Sequence, residues 1–240
     1  MIRAVLFDVG GTLHVADNTP ALADRFSELL IRRLAESGIV LPVDAKSLTP
    51  MLHRNAEDYK HWSEQTRREL SGVRIWNEYY LRDFAVGEAR LAPIAEELSW
   101  MYDAIRVRNV PRPHMQETMA ALQEMGMKLG IISNIISTTF VPRLLEDYGI
   151  AEKMSCVILS SVAGIHDEGA CLRAGSGGDS LSLSVRRHEG GHTQQYCQDA
   201  QDRNDMFHIG IHLPSILWPG GRFHVIIPQI GPKGKGSCPH

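Results

Sequence analysis

The sequence predicts an α/β protein, a parallel sheet core with a long all-helical segment inserted after the first strand. Three observations predict it. Arg3-Ala-Val-Leu-Phe-Asp8 is apolar on both faces and ends in a carboxylate, as strands in the middle of a parallel sheet are. Two later apolar runs, Lys128–Asn134 and Met154–Leu159, alternate with helix-periodic stretches, the order of βαβ units. Between the first run and the second, residues 19–106 carry helical periodicity with no convincing strand.

The first run is the most informative. Asp8 is followed by Val9, a Gly10-Gly11 turn and the hydroxyl of Thr12. The bend after such a strand is where α/β proteins place ligands. A carboxylate held there, with backbone N–H groups beside it, suits nucleophilic attack on phosphorus or carbon. Taken alone, the same residues also read as a buried strand followed by an Asp-containing turn.

The helical segment divides into 19–37, 44–60, 63–70, 73–84 and 88–106, broken at Gly38, Pro42, Gly72 and Gly87. In the first of these, Leu22, Phe26, Leu29, Leu30 and Leu34 recur at helical spacing, and Gly38 stands where a helix stop is expected. Trp62, Trp76, Tyr79, Tyr80, Phe84 and Trp100 all fall in the insertion. Aromatics at helical spacing usually bury, so most are read as its core, with one or two left as candidates for a substrate pocket. His53 and His61 are read as surface histidines. Beyond the insertion, 114–126 and 138–148 are helices that flank the second strand, which ends in Ser133 and Asn134.

Composition excludes several function classes. A net charge of −3 and a pI near 6.4 leave no electrostatic footprint for nucleic acid or an anionic membrane. No apolar run is long enough to span a bilayer, and no signal peptide is read before the first strand. Cys156, Cys171, Cys197 and Cys238 contain no C-x-x-C pair, which fits a reduced, cytoplasmic protein.

The chain resembles the haloacid dehalogenase (HAD)-like hydrolase superfamily, in its helical-cap class. Its first motif, a hydrophobic strand followed by D-x-D-G-T-[LV], stands here as Asp8-Val-Gly-Gly-Thr-Leu13. The second, an apolar strand ending in Ser or Thr, matches at Ser133, and Asn134 follows it as it often does in the family. The resemblance covers residues 1–165. It implies a Rossmann-like core at 1–14 and 113–240, with a cap at 15–112 that closes over the site. It implies Asp8 as nucleophile, Thr12 and Ser133 as contacts to the transferring group, and Gly11 and Asn134 as substrate contacts. Mg²⁺ would be held by the Asp8 carboxylate and the Gly10 carbonyl. Gly10 departs from the pattern, because family phosphatases carry there the aspartate that protonates the leaving group and then activates water.

The character changes after Gly164. The family expects a lysine, which neutralises nucleophile and phosphoryl charge, where Asp167 stands in the aligned register; no lysine occurs between Lys153 and Lys233. Residues 166–204 are irregular. The stretch from His166 to the end holds 12 of 21 glycines and 7 of 11 histidines, a shift unlike an ordinary domain boundary. A changed reading frame is one explanation, tested by inspecting the other two frames of the coding DNA. Three motifs lie there. Gly178-Asp-Ser-Leu-Ser-Leu-Ser184 resembles the family's acidic motif, with Ser184 in place of the second acid. Met206–Ile216 has the preceding strand and the register, but Ile211 and Ile216 stand at the acid positions, where isoleucine cannot ligate Mg²⁺. Gly220–Ile227 then resembles the next turn and strand. His188-Glu-Gly-Gly-His192 is a literal H-E-x-x-H. Its two glycines cost about 2 kcal/mol of helix propensity, so it reads as solvated loop histidines.

Two readings of function follow. One is a Mg²⁺-dependent phosphatase acting on a small phosphorylated metabolite through an aspartyl-phosphate at Asp8, monomeric or homodimeric. The other is a HAD fold without turnover, its acid/base aspartate replaced by Gly10 and its lysine and metal acids missing.

Overall fold

The computed structural model describes residues 4–166 and, as backbone, four two-residue strand pieces at 184–185, 194–195, 210–211 and 225–226. The motif candidates at 178–184, 188–192 and 206–216 and the charge reversal at Asp167 lie outside the residues so described, apart from those strand pieces.

Strand β1 (Ala4–Phe7) lies at the middle of the sheet. It pairs in parallel with β4 (Lys128–Ser133), from Ala4 opposite Lys128 to Phe7 opposite Ile131. Strand β5 (Met154–Leu159) continues the sheet in parallel beyond β4. These are the three apolar runs of the sequence. On the other side of β1, Val225–Ile226 and then Gly210–Ile211 add short antiparallel pieces. They fall in segments expected as strands, although an antiparallel edge was not expected. Such an edge on an otherwise parallel sheet is common in α/β folds.

Successive strand residues face opposite sides, so β1 and β4 feed two cores. Val5, Phe7, Leu129 and Ile131 pack with Val141, Leu144 and Leu145 of α5 (Phe140–Asp147) and Met119 of α4 (Met115–Glu124). Leu6, Ile132, Cys156 and Ile158 form the opposite face with Ile165. Gly130 sits between Leu6 and Cys156 in register. A Cβ there would lie 2.6 Å from Cys156 Sγ and 2.7 Å from Leu6 Cδ2, so the close approach of these strands requires glycine.

The chain enters and leaves the helical insertion through an antiparallel ribbon, β2 (His14–Asp17) with β3 (Arg108–Pro111). Helix α1 (Pro20–Glu36) starts at Thr19, whose Oγ1 accepts from Leu22 N, with proline at its first position. It stops at Gly38, with φ +77°, and bonds run from Gly38 and Ile39 N–H back to Ala35 and Leu34 carbonyls. Phe26, Leu30 and Leu34 form its buried stripe.

Helix α2 (Ala45–Thr66) is one helix where two were expected. It ends at Arg67 in a left-handed conformation. Residues 67–70, expected as helix, instead run beside the core: Arg68 bridges to Ile165, and His166 N–H donates to the Arg67 carbonyl. The expected helix 73–84 is three short pieces, with a wide π-type turn at Ile75–Tyr80. The expected helix 88–106 breaks into Glu88–Leu91 and α3 (Ala95–Ile105), because Pro93 lies between them and has no N–H to donate. Trp76 and Tyr80 are buried with Leu30, Leu48 and Leu98 in the insertion's own core. Trp62, Tyr79, Phe84 and Trp100 pack against it partly buried.

Candidate active site

Asp8 is half-buried, one residue past β1. The pairing of Phe7 with Ile131 carries it to the same sheet edge as Ser133, the last residue of β4. With strands about 4.8 Å apart and a rise of about 3.3 Å per residue, continued register separates their Cα atoms by about 6 Å. Behind Asp8 the chain turns tightly. The Val9 carbonyl accepts from Thr12 N at 3.3 Å and Leu13 N at 2.9 Å. Gly11 makes this turn with φ +76°, a conformation that favours glycine. Val9 and Leu13 are buried in the core beneath it. Thr12 and Ser133 are both buried, whereas Gly10, Gly11 and Asn134 are exposed. The turn therefore brings Asp8, Gly10, Gly11 and Thr12 to the edge where Ser133 and Asn134 arrive.

Gly10 differs from Gly11. Its backbone is not in the left-handed region, and a Cβ there would meet nothing within 4 Å. Glycine is thus not required at position 10 by space or backbone.

Arg112, just past β3, pins the turn to the ribbon. Its N–H donates to the Leu13 carbonyl and its Nη2 to the Gly11 carbonyl, both at 2.8 Å. His14 is buried next to Thr12 and Leu13, with Nδ1 3.3 Å from the Tyr148 hydroxyl. Burial lowers its pKa, which favours the neutral imidazole.

The loop after Ser133 is held by acids of the helical insertion. Glu96 of α3 accepts from Ser137 Oγ at 2.7 Å, Thr138 and Thr139 N–H at 3.0 Å, and Thr139 Oγ1 at 2.8 Å. Burial pushes the Glu96 pKa up, but these bonds outweigh it and hold it below the usual value. Asp103 accepts from Ser137 N–H at 3.2 Å. Burial pushes its pKa up to about 8, against the Ser137 bond and the Arg106 cation. Glu69 makes the third link. It is buried and accepts from Tyr59 OH and, at 2.5 Å, from Ser160 Oγ; His166 Nε2 lies 3.2 Å away. Ser160 Oγ in turn accepts from Ile135 N–H at 2.9 Å.

None of these residues was expected. Glu96 and Asp103 had a legible signal, because with Trp100 they recur at spacings of four and three along α3 and so share one face. Glu96 also stands in the first turn of its helix, where an acid is ordinarily explained by the dipole. Glu69 had no such signal, lying in a stretch read as helix.

Comparisons with known proteins bear on the family. A model of the haloacid dehalogenase-like hydrolases matches residues 2–170. The chain belongs to this family. Among curated relatives, phosphoglycolate phosphatase of Escherichia coli (strain K12) is 30% identical over 178 residues, 65% of this chain and 60% of the relative. This HAD-like chain thus spans less than two thirds of that relative's length. Among solved structures, L-2-haloacid dehalogenase from Xanthobacter autotrophicus with chloropropionic acid covalently bound aligns at 19% identity and a TM-score of 0.38, covering 70% of this chain and 60% of that one. A HAD-superfamily hydrolase of subfamily IA from Geobacter sulfurreducens PCA aligns at 16% identity and a TM-score of 0.32, covering 67% and 64%.

For Mg²⁺, the expected oxygen ligands, the Asp8 carboxylate and the Gly10 carbonyl, are hard donors of the kind this ion takes. No group of three or more His, Cys, Asp or Glu side chains that could hold a metal occurs among the described residues. Mg²⁺ usually takes one or two carboxylates with waters and substrate phosphate oxygens, so this partial set fits the ion. No helix among the described residues is long and apolar enough to cross a membrane.

Proposed function

We propose that this HAD-like hydrolase is a phosphatase of small phosphorylated metabolites, with Asp8 as its nucleophile. The observation that supports it most is the convergence of Asp8 and Ser133 at the carboxyl edge of two paired parallel strands. An Asp8 carboxylate oxygen attacks phosphorus, the bond to the leaving oxygen breaks, and an aspartyl-phosphate forms. Thr12, Ser133 and the backbone at Gly11 hold the phosphoryl oxygens, and Asn134 orients the rest of the substrate. Mg²⁺ would be held by the Asp8 carboxylate and the Gly10 carbonyl and would supply charge neutralisation there. Gly10 has no side chain to donate a proton, so the leaving oxygen takes one from water. Substrates whose leaving groups depart as stable anions are favoured accordingly. Water then cleaves the aspartyl-phosphate and restores Asp8. Residues 15–112 act as a cap over this edge, and the protein works in the cytoplasm as a monomer or homodimer.

A second reading has its own observation. Gly10 replaces the acid/base aspartate and Asp167 stands at the lysine position, which describes a family fold without turnover. A phosphatase screen with Mg²⁺, run on the wild-type chain and on Asp8→Asn, decides. Activity lost in Asp8→Asn supports the first reading. Equal activity in both removes Asp8 as nucleophile, and no activity in either leaves the second reading.

A further inference from the structure

The helical insertion holds a cavity of about 460 Å³ that includes none of the residues assigned above to catalysis or metal. It lies between α1, α2 and the end of α3, and its volume suits a small molecule. Its floor is rigid. Tyr102 packs edge-on to Phe26 at 5.7 Å and Trp76 at 6.4 Å, and against Tyr80 at 4.9 Å between ring centroids. The Arg106 guanidinium lies over the Tyr102 ring, 4.3 Å from its centroid. One helical turn along α3 separates the two residues, so the ring fixes the cation against the cavity.

Arg106 lines the cavity; its Nε is enclosed by protein and has no hydrogen-bond partner among the described residues, so contact with a ligand falls to the rest of the guanidinium. Buried donors, above all charged ones, ordinarily have a partner. The nearby Asp103 does not supply it, being bonded to Ser137 on the core side and kept largely protonated near neutral pH by burial. Lys46 lines the same cavity, and Asp24 is its one carboxylate. Two basic side chains against one acid leave the lining positive. The remaining wall sets Pro20, Ala23, Pro50 and Leu52 beside small polar residues and His53.

We propose that this cavity is a binding site for a small amphipathic organic anion, its carboxylate or phosphate held by Arg106 and Lys46 and its apolar body against the proline and leucine wall. The site is separate from Asp8 and stands whether or not Asp8 catalyses. Its mixed lining selects charge at one end and hydrocarbon at the other, so a bare inorganic anion fills only part of it.

Calorimetric titration of the full chain with phenylacetate and with phenylacetamide tests this. The two probes share shape and differ in charge. The expected result is binding of phenylacetate at least tenfold tighter than the amide, lost tenfold or more in Arg106→Gln, partly restored in Arg106→Lys, and kept in Asp8→Asn. Equal binding of the two probes overturns the proposal, as does wild-type affinity in a folded Arg106→Gln chain. If Arg106→Gln does not fold, Lys46→Met at the exposed rim decides, and an unchanged affinity there overturns it. Loss of binding in Asp8→Asn also overturns it, because the ligand then sits at the sheet edge instead.

Discussion

Gly10→Asp is the sharpest perturbation of the proposed chemistry. The structure makes it a clean one. A Cβ at position 10 meets nothing within 4 Å, and the backbone is outside the left-handed region. Folding is therefore not impaired. Replacing glycine where the new residue fits stabilises by about 0.4–1 kcal/mol through the unfolded chain. Position 10 is two residues past the proposed nucleophile and exposed, so a carboxyl there would reach solvent beside the proposed phosphoryl site. General acid–base catalysis is worth about 10²–10⁴ in rate, or about 3–5 kcal/mol of barrier. The gain depends on the leaving group. An alkyl phosphate, whose alkoxide needs a proton, should be hydrolysed faster by a factor in that range. An aryl phosphate, whose phenolate leaves unaided, should change little. Steady-state turnover of both substrates in Gly10→Asp and in the Asp8→Asn/Gly10→Asp double variant measures this. A gain of equal size on both substrates, or a gain that persists without Asp8, refutes the assigned roles. A folded Gly10→Asp chain as slow as the parent on alkyl phosphates refutes the idea that Gly10 is what limits it.

Three further outcomes follow from contacts already described. Gly130→Ala should destabilise by about 1–3 kcal/mol, the usual range for overpacking, because its Cβ would overlap Cys156 and Leu6; a denaturant midpoint equal to the parent's contradicts this, and adding Cys156→Ala should recover part of the loss. Glu96→Ala should cost about 1–3 kcal/mol, because it strips an acceptor from Thr138 and Thr139 N–H, and faster amide exchange should be confined to that loop; uniform exchange across the chain argues against it. Asp103 has a folded pKa raised to about 8 from an ordinary 3.8. Its protonation favours the folded state fully below about 4, and that contribution is lost as pH rises to about 8. Asp103→Asn, which keeps an acceptor for Ser137 N–H, should flatten the fall in melting temperature across that window; an unchanged slope assigns it to other groups.

The strands and the turn were legible because each is governed by local rules. Apolar runs of four to six residues ending in Asp8 and Ser133 leave little choice but buried parallel strands. Gly38 marks its helix end because few other residues tolerate the left-handed conformation there. The insertion was legible in its helices but not in its breaks. Nothing in residues 63–70 forbids helix; what ends α2 at Arg67 is pairing with Ile165 and His166, nearly a hundred positions away. The π-type turn at Ile75–Tyr80 likewise depends on packing that buries both Trp76 and Tyr80. The candidate site divides in the same way. Asp8, Thr12 and Ser133 carry their chemistry in motif spacing, whereas Glu69, Glu96 and Asp103 act only through partners distant in sequence.

Those three acids bear on how the insertion could work as a cap. Its own core closes around Trp76 and Leu98, so it does not depend on the sheet for burial. Ile136 of the loop after β4 packs into that core, and Trp100 touches both cores. Side-chain bonds from Glu69, Glu96 and Asp103 reach Ser160, His166 and the 137–139 loop, beside the backbone pairing of Arg67 and Arg68 with His166 and Ile165 and the bonds of Arg112 to the turn. Separating a polar junction exposes groups that water can satisfy, so its net cost per bond is about 0.5–1.5 kcal/mol. An apolar junction of similar extent would lose its burial energy outright, at about 25 cal/mol per Å². A cap must open for substrate and close for chemistry. A largely polar seam, with Ile136 and Trp100 among its apolar contacts, suits repeated opening better than a continuous core. The same seam ends on the loop that follows Ser133 and Asn134, so closure and the placing of these two proposed substrate contacts would be one event.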